Sequence, residues 1–276
     1  MQITREFQLE AGEFEWIRAQ IKERTGIALS DQKRDLVYNR LAGRLRSLGI
    51  SSFRDYRRVL ESEGGEFVEF TNALTTNVTA FFREPHHFEY LKKAVFPRFQ
   101  RENKRKIRIW SAGCSSGEEP YTIAMTALET FGERSAVDVK ILATDLDTNV
   151  LAKAEAGVYG KDRLGGLDEA RLSRWFQRGV GPTEGKVRAR AELRELITFR
   201  QLNLMESWPM RGPFDLIFCR NVIIYFDRPT QTRLIDRYGD LLVDQGTLML
   251  GHSESLVSER HQFKCVGRTI HQKQRG

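Results

Sequence analysis

Hydrophobic positions recur along this chain with two different periods. In the N-terminal third, apolar side chains return every three to four residues, which is typical of amphipathic helices. This pattern predicts helices at Glu13–Arg24, from Ser30 to about Ser47, at Ser52–Glu61, at Glu66–Leu74 and at Glu84–Phe99. The second helix carries an apolar stripe of Val37, Leu41, Leu45 and Leu48, and we expect Ser30 and Asp31 to cap it and Gly49 to end it.

Further along, short continuous apolar runs alternate with helical patterns. Strands are predicted at Ile107–Trp110, Val137–Ala143, Lys186–Leu193, Ile197–Leu204, within Phe214–Phe226, at Gly246–Gly251 and at Phe263–His271. Helices are predicted from Glu118 to Phe131 and at Thr148–Ala156, Asp168–Gln177 and Arg228–Val243. Strands that alternate with helices indicate a parallel α/β sheet. The turn-rich loop Arg178–Gly185 interrupts this alternation and predicts a small inserted β-ribbon.

The composition is that of an ordinary globular protein. Of 276 residues, 40% are hydrophobic and 29% are charged, which allows a large core and one smaller domain. Neither a secretory core nor a run long enough to span a bilayer is apparent, so a cytoplasmic location is expected. Cys114, Cys219 and Cys265 lack metal-ligand spacing; we expect reduced structural thiols and no metal site.

The formal net charge of +7 is unevenly distributed. Residues 31–60 hold eight basic and three acidic side chains. On the second predicted helix, Lys33, Arg40 and Arg44 follow one flank of the apolar stripe and would form a basic ridge. Such a ridge could bind a nucleic acid, an acidic protein surface or a membrane face, or it could be a solvated helix face.

The segment Ile107–Tyr121, together with Asp145, carries the clearest chemical signal. A buried strand, a loop of small residues, a helix opened by Glu118-Glu119-Pro120 and a second strand ending at Asp145 form a βαβ unit. A carboxylate at the tip of the second strand suits the hydroxyl groups of a ribose. Neither the GxGxxG dinucleotide fingerprint nor a GxxxxGK[ST] phosphate loop occurs, so S-adenosylmethionine, which has no phosphate, is favoured. A plain α/β core without a nucleoside stays open as an alternative.

Five sequence blocks carry a family resemblance: TTNVTAFFRE, WSAGCSSGEEPYT, ATDLD, GPFDLIFCRNVIIYF and GHSES. In this order and spacing they resemble the CheR-type chemotaxis receptor glutamate O-methyltransferases, from about Glu13 to Gln272. The resemblance implies an α/β fold, in which a seven-stranded, Rossmann-like S-adenosylmethionine-dependent methyltransferase domain with a small β-subdomain insertion follows an all-α N-terminal domain. It implies a helical domain at 1–74, a linker contributing to the cofactor site at 75–90, and a methyltransferase domain at 91–276 with its insertion at about 158–196.

The same resemblance implies the site residues. The cofactor S-adenosylmethionine, which leaves as S-adenosylhomocysteine, is expected to contact Asn77, Thr79, Arg83, Glu118 or Glu119, Asp145, Asn203, Leu204, Asn221 and Val222. Asp145 would accept the ribose hydroxyls, Leu204 and Val222 would sandwich the adenine, and Asn203 would pair with its edge. As catalytic residues, Arg83 would pair with the methionine carboxylate or with the substrate glutamate, and Tyr225 would hydrogen-bond the incoming glutamate. For Tyr225, a core aromatic residue at a strand end stays open as an alternative. A glutamate is ionised at neutral pH, so no general base is expected.

Receptor contacts are implied as well. The methylation helices of such receptors are acidic, so we expect Lys33, Arg40 and Arg44 to bind them. The loop containing Gly179, Gly181 and Gly185 resembles the one by which some family members dock a receptor C-terminal tail through strand addition. Without the resemblance, this loop would be interpreted as a hairpin turn. We expect neither nucleic-acid binding nor membrane insertion.

Two other functions compete with this interpretation. Gly113–Gly117 also matches GxSxG, with Ser115, Asp215 and His252 in the chain order of an α/β hydrolase, although no HGGG-type oxyanion loop precedes it. A nucleic-acid methyltransferase could use residues 31–60 as a phosphate-binding patch. Against the latter, Arg220–Ile223 lacks the Asn-Pro-Pro-Tyr pattern of base amino methylation, and no aromatic residues interleave the ridge.

Overall fold

The N-terminal part of the chain is helical. The computed structural model describes residues 6–62, 65–133, 135–256 and 262–275. The first helices are α1 (Ala11–Thr25), α2 (Arg34–Leu48), α3 (Phe53–Ser62) and α4 (Glu66–Leu74). The predicted helices are confirmed, but the second begins later than expected, because Asp31–Lys33 form a separate 3-10 turn and Ser30 makes no side-chain cap.

A common apolar core joins these helices. Ile21, Val37, Leu41 and Leu45 are wholly buried, as the apolar stripe predicts. Leu48, the last member of that stripe, is instead exposed. Gly49 adopts a left-handed conformation, with φ 66°, and ends α2 directly after Leu48. Leu48 therefore belongs to an exposed last turn.

Arg44 forms an ion pair within the helical part. Its guanidinium group donates to both carboxylate oxygens of Glu66, at 2.7 and 2.6 Å. Tyr56 donates to the same carboxylate at 2.8 Å. Burial alone would raise the pKa of Glu66, but these two donors outweigh it and the pKa is lowered. Arg44 is thus one partner of a largely buried carboxylate and does not project freely.

Arg40 also forms hydrogen bonds inside the protein. It donates to the carbonyl oxygens of Leu74 and Thr75, at 2.8 and 2.6 Å, where α4 ends and its last carbonyls need partners. The expectation that Lys33, Arg40 and Arg44 form a projecting basic ridge is therefore wrong. Of these three side chains only Lys33 is exposed.

The predicted helix Glu84–Phe99 is interrupted. It consists of α5 (His86–Tyr90), a π-helical turn at Leu91–Val95 and α6 (Phe96–Arg101). Pro97 explains the interruption, because it lacks the N–H that an α-helix needs and its ring crowds the carbonyl of the preceding turn. The wider π turn absorbs this misfit.

The rest of the chain folds around a seven-stranded sheet. In chain order the elements are β1 (Lys106–Ala112), α7 (Glu118–Phe131), β2 (Asp138–Asp145), α8 (Thr148–Ala156), β3 (Val158–Gly160), α9 (Glu169–Trp175), β4 (Phe176–Arg178), β5 (Lys186–Ala189), α10 (Ala191–Arg194), β6 (Ile197–Gln201), β7 (Phe214–Cys219), α11 (Arg228–Leu241), β8 (Leu242–Leu250), β9 (Phe263–Gly267) and β10 (Ile270–Lys273). The strand order of the large sheet is β6-β2-β1-β7-β8-β10-β9. The first five strands in this order, β6, β2, β1, β7 and β8, run parallel. The hairpin of β9 and β10 joins the sheet at its edge, where β10 pairs antiparallel with β8.

Strands β3, β4 and β5 form a separate antiparallel sheet of order β3-β5-β4, inserted between α8 and β6. The expected architecture of an all-α N-terminal part, a seven-stranded α/β domain and a small β-subdomain is confirmed. Three predicted elements are corrected: Asp168–Gln177 stops being helical at Trp175, Lys186–Leu193 stops being a strand at Ala189, and Phe263–His271 is a hairpin of two strands. In each case a short stretch with one continuous apolar pattern contains the end of one element and the start of another, and periodicity alone does not separate them.

The buried residues of β7 and β1 show that the sheet is covered on both faces. All six residues of β7 are buried, as expected for a parallel strand covered on both faces. On β1, Ile109 packs in the core that contains α7, whereas Trp110 packs in the core that contains α11. Because the parallel strands share one direction, the loops after β1, β2 and β7 meet at one edge.

We expect Arg44→Ala to destabilise the protein. The Glu66 side chain is only 5% exposed, so loss of Arg44 leaves a desolvated carboxylate and should cost about 1–3 kcal/mol in the free energy of unfolding. Arg46→Ala is the matched control, since its pair with Glu6 is more than half exposed on both sides and such pairs contribute about 0–1 kcal/mol. Urea unfolding followed by circular dichroism measures both. Equal losses in the two variants would show that Arg44 is an ordinary surface residue.

Candidate functional site

A cavity of about 340 Å³ lies at the carboxyl edge of the parallel strands. Its walls come from the loops after β1, β2, β6 and β7, from the segment 74–83 and from residues 25–36 of the helical part. Ten of the predicted site residues line it: Asn77, Thr79, Arg83, Glu119, Asp145, Asn203, Leu204, Asn221, Val222 and Tyr225. Lys33 lines it as well. The volume falls in the range of small-molecule sites, roughly 300–1,000 Å³.

The loop Gly113–Gly117 approaches the neighbouring segments closely. Gly113 has φ 85°, and a Cβ built there would lie 2.3 Å from Cγ2 of Val222. Gly117 has φ 95°, and its Cβ would lie 2.9 Å from both Ala154 and the hydroxyl of Tyr159. Only glycine meets the conformational and the steric demand at these two positions, so this loop lets the strand ends come together.

Asp145 ends β2 and lines the cavity. Its Oδ2 accepts from the backbone N–H of Ser115 at 2.7 Å, and its Oδ1 accepts from that of Asp147 at 3.0 Å. Burial raises the pKa of Asp145 to about 6, although the two N–H donors favour the ionised form. Because each carboxylate oxygen can accept more than one hydrogen bond, Asp145 keeps acceptor capacity for hydroxyl groups of a ligand.

The two glutamates that open α7 point in different directions. Glu119 lines the cavity, accepts from Oγ of Ser111 at 2.7 Å and pairs with Arg220 at 3.0 Å. Glu118 is wholly buried, accepts from Oγ of Ser116 at 2.7 Å, pairs with Arg163 and does not line the cavity. Of the two glutamates that were expected to contact the cofactor, only Glu119 faces the cavity and Glu118 does not. The reason is that consecutive helical side chains project about 100° apart.

Arg220, which sequence analysis missed, is the buried cation of the site. It follows β7 directly, and its side chain is only 3% exposed. It pairs with Glu119, lies 3.5 Å from Oε2 of Glu84 and donates to the carbonyl oxygen of Arg83. Burial raises the pKa of Glu119, and Arg220 offsets part of that rise. The sequence did hold a signal for Arg220, because this arginine directly follows the six buried residues of β7. A buried charge requires a partner of opposite charge.

Asn77 connects the linker to the two loops beside it. Its side-chain amide donates to Oδ2 of Asp147 at 2.7 Å, and its carbonyl oxygen accepts from Oγ of Ser115 at 3.2 Å. Thr79 lies two residues further on and also lines the cavity. The linker therefore forms one wall of the cavity and is not a free connection between two parts of the chain.

Arg83 lies in a strained part of the same linker. Its guanidinium group donates to the carbonyl oxygen of Val78 at 2.6 Å, so the linker folds back on itself. Phe82 and Glu84, on either side of Arg83, have φ values of 53° and 56°. Such conformations are costly for residues with side chains, and they cluster at functional sites.

The segment after β6 contributes one polar and one apolar residue. The side-chain amide of Asn203 donates to the carbonyl oxygen of Arg24 at 2.6 Å and to Glu206 at 3.0 Å, and its oxygen accepts from the N–H of Met205 at 3.0 Å. The amide hydrogens are therefore used inside the protein, while the oxygen keeps a lone pair, so pairing of Asn203 with an adenine edge stays a prediction. Leu204 is buried and presents apolar surface to the cavity.

A buried glutamate shapes the loop after β7. Glu254 accepts from the N–H groups of Gly251, Asn221 and Ile224, at 2.5, 2.9 and 3.3 Å. Asn221 has φ 60°, a conformation that asparagine adopts more readily than most residues. Tyr225 follows in a 3-10 turn, and its carbonyl oxygen accepts from the N–H of Ala28 at 2.8 Å. The loop thus reaches from the sheet to the helical part.

The residues of the hydrolase alternative are not assembled. Asp215 lies near the start of β7, where it pairs with Lys104 at 2.7 Å and accepts from the N–H of Arg108 at 2.9 Å. Ser115 lies at the opposite, carboxyl edge of the sheet, and His252 is bonded to Glu84 at 3.0 Å. No nucleophile–base–acid chain joins Ser115, His252 and Asp215, so the hydrolase alternative is rejected.

The groups that line the cavity fit S-adenosylmethionine. Asp145 offers acceptors for ribose hydroxyls, Glu119 offers a carboxylate for a cationic group, and Leu204 and Val222 offer apolar surface for a purine. Together with the strand order of the sheet, these groups define an S-adenosylmethionine-dependent methyltransferase.

Comparison with known proteins identifies the family. Residues 12–75 match the CheR methyltransferase all-alpha domain, and residues 77–271 match the CheR methyltransferase SAM binding domain. Chemotaxis protein methyltransferase 2 of Pseudomonas aeruginosa is 48% identical over 269 residues, covering 97% of this chain and 95% of that protein. The chemotaxis protein methyltransferase of Escherichia coli is 45% identical over 274 residues, covering 98% and 94%. The chain belongs to the CheR family of chemotaxis protein methyltransferases. Among the described residues, no helix has the length and apolar character needed to cross a membrane.

We expect the affinity for S-adenosylmethionine to fall as the pH drops below about 6. We expect the ribose hydroxyls to donate to ionised Asp145, whose pKa is about 6, so protonation at lower pH would remove acceptors from the site. One pH unit below that pKa, Kd should be roughly tenfold higher than its neutral-pH value. Isothermal titration calorimetry between about pH 5 and 7 measures this dependence. Asp145→Asn should bind weakly at every pH in this window, and a flat profile for the wild type would remove Asp145 from the binding site.

Proposed function

We propose that this protein works in the cytoplasm and methylates glutamate side chains on the helices of chemoreceptors, forming γ-glutamyl methyl esters. The names of its relatives support a target in chemotaxis. The observation that carries the substrate class is the set of donors in the cavity: Lys33, Arg83 and Tyr225. Their side chains can all donate hydrogen bonds, which suits a substrate that arrives as an anion.

S-adenosylmethionine supplies an electrophilic methyl group on a positively charged sulfur. Transfer of this group to a carboxylate neutralises a cation and an anion, so surroundings less polar than water favour the reaction. The task of the protein is therefore to align the two reactants and exclude water, and it needs no general base. This is consistent with Arg83 and Tyr225 as donors that orient the carboxylate.

Glu119 and Arg220 have separate roles in this proposal. Glu119 lines the cavity and would accept the ammonium group of the methionine moiety. Burial raises the pKa of Glu119, which favours its neutral form, whereas Arg220 at 3.0 Å favours the ionised form that binds a cation. Arg220 acts through Glu119 and is a positioning residue.

The internal hydrogen bonds of α2 modify the proposed receptor contact. Lys33 is exposed beside the cavity and remains available to an acidic receptor helix. Arg40 instead fixes the start of the linker. Burial lowers the pKa of Arg40, and the nearby Tyr225 offsets only part of that change. We therefore assign Lys33 a direct contact with the receptor and give Arg40 and Arg44 an indirect effect through the fold.

The nucleic-acid alternative loses its main support. It requires free cations within residues 31–60, yet Arg40 and Arg44 bond inside the protein. Arg46, Arg57 and Arg58 pair with carboxylates of this chain, at 2.8 to 2.9 Å. An acidic helix that approaches the cavity beside Lys33 requires fewer free cations.

The β-subdomain is proposed to dock a receptor tail peptide by strand addition. β5 is paired on both sides, so a peptide cannot add to it, and the free edges of this sheet belong to β3 and β4. β4 continues into the loop Gly179–Gly185, whose Val180 is 80% exposed. Main-chain groups of a free edge can pair with an extended peptide, and an exposed apolar side chain can contact its residues.

We expect Tyr225→Phe to slow methyl transfer without weakening cofactor binding. A hydrogen bond to a charged group contributes about 1.5–3 kcal/mol, so the rate should fall roughly 10- to 100-fold. Transfer of labelled methyl groups to a receptor cytoplasmic fragment, with base-labile release of methanol, measures the rate. Calorimetry measures cofactor affinity, and Tyr90→Phe is a control at a half-buried tyrosine outside the cavity. A base-stable product, or equal methylation of fragments that lack glutamates, would refute the proposed substrate.

We expect Gly181→Val to reduce binding of a receptor tail peptide and leave cofactor affinity unchanged. Gly181 has φ 57°, which strains valine, while open space surrounds its Cβ position. Gly132→Val is the matched control, because Gly132 also has positive φ and open space but lies after α7. Fluorescence anisotropy with a labelled tail peptide measures binding. Docking at the loop is contradicted if both variants bind equally well, or if no tail peptide binds the wild type at micromolar concentration.

A further inference from the structure

Three side chains beside the cavity have the composition of a transition-metal site. Glu84, His86 and His87 each offer one ligand atom, and these three atoms lie within 4.8 Å of one another. His252 lies outside this group; its Nδ1 is 3.0 Å from Oε1 of Glu84 and helps to hold that carboxylate. We propose that Glu84, His86 and His87, called here the histidine cluster, bind Zn²⁺, with water as the fourth ligand. Cysteine spacing gave no sign of this site, because none of its ligands is a cysteine.

Hydrogen bonds set the tautomers of the two neighbouring histidines. Nε2 of His86 lies 3.2 Å from the carbonyl oxygen of Arg268, which only accepts, so this nitrogen carries the proton. Nε2 of His87 lies 3.0 Å from Oγ1 of Thr269, whose own hydroxyl hydrogen is donated to Arg268. In both neutral rings Nδ1 is therefore left with a free lone pair. Metal-binding histidines are commonly fixed in this way by an oxygen acceptor on the other nitrogen.

Two buried ligand atoms of the cluster have no hydrogen-bond partner. They are Nδ1 of His87 and Oε2 of Glu84, which lie 3.6 Å apart. His87 is wholly buried, so water does not readily compensate its nitrogen. Oε2 of Glu84 is balanced by Arg220 at 3.5 Å, whereas Nδ1 of His87 has no partner. An unpartnered buried nitrogen is costly, and a metal ion bound between these two atoms would satisfy it.

The distance between the ligand atoms of Glu84 and His87 suits zinc. Zinc–ligand distances near 2.0–2.1 Å place ligand atoms of a tetrahedron roughly 3.4 Å apart. The pair from Glu84 and His87 is already close to this separation, at 3.6 Å, and the ligand atom of His86 lies within 4.8 Å of both. Imidazole and carboxylate ligands select Zn²⁺ over Mg²⁺ or Ca²⁺, which prefer oxygen ligands alone.

The cluster is electrostatically connected to the cofactor cavity. Oε2 of Glu84 lies 3.5 Å from Arg220, which pairs with Glu119 in the cavity wall. Bound Zn²⁺ takes Glu84 as a ligand and adds positive charge beside Arg220, while S-adenosylmethionine brings its own positive charge. Zinc and cofactor should therefore weaken each other's binding by the same factor. This inference rests on cofactor binding and is independent of which protein is methylated.

The test uses untagged full-length protein carrying Cys265→Ser, which removes an exposed thiol that could bind zinc. Competition against a chromophoric zinc chelator should show one equivalent bound with micromolar or tighter Kd. His86→Ala and Glu84→Gln should each raise this Kd at least tenfold. His271→Ala is the matched control, because His271 is a buried histidine with an unpartnered Nδ1 outside the cluster, and it should bind zinc normally. Circular dichroism and cofactor titration confirm that each variant is folded.

A second measurement examines the coupling. With zinc present, Kd for S-adenosylmethionine should rise at least threefold in the Cys265→Ser protein and stay unchanged in the variant that adds His86→Ala. Cobalt(II) should give the visible absorption of a four-coordinate nitrogen and oxygen site in the former only. Absence of stoichiometric zinc binding, or equal zinc affinity in the His86→Ala and His271→Ala proteins, would overturn the site. Unchanged cofactor affinity in the zinc-loaded protein would overturn the coupling.

Discussion

The ion pair of Arg220 with Glu119 joins the segments that the chemistry of this protein brings together. Arg220 follows β7, Glu119 opens α7, and the carbonyl oxygen of Arg83 in the linker accepts from the same guanidinium group. Buried ion pairs add little net stability, but loss of one partner commonly costs about 3–5 kcal/mol, because the other charge stays buried. The pair therefore acts chiefly on arrangement: it favours the one packing in which sheet, helix and linker meet around the cavity.

Contacts between the helical part and the sheet extend this arrangement. The side chain of Asn72, in α4, donates to Oγ1 of Thr148 at 2.9 Å and accepts from the N–H of the same residue at 3.1 Å. The N–H of Ala28 donates to the carbonyl oxygen of Tyr225 at 2.8 Å. Since both parts of the chain line the cavity, a ligand bound there also stabilises their relative placement.

Several arginines of this protein serve the interior or its margins. Arg44 holds Glu66, Arg163 holds Glu118, and Arg171 holds Glu129, whose carboxylates are at most 13% exposed. Arginine suits this use because its planar guanidinium group can donate two parallel hydrogen bonds to one carboxylate. A net charge of +7 thus overstates the cationic surface that is free to meet a partner.

Sequence alone determined the order of the main helices and strands, the position of Asp145 and the glycine loop beside it. Apolar periodicity and strand ends are local properties, and parallel strands place their carboxyl ends together whatever their other contacts. Tertiary structure alone decided the partners of the charged side chains. Glu119 and Arg220 are 101 residues apart in sequence, so their pairing, the turning of Glu118 towards Arg163 and the internal use of Arg40 and Arg44 could not be predicted from nearby residues. The same holds for the central place of β5 and for the meeting of His252 with Glu84, because both depend on how distant segments pack.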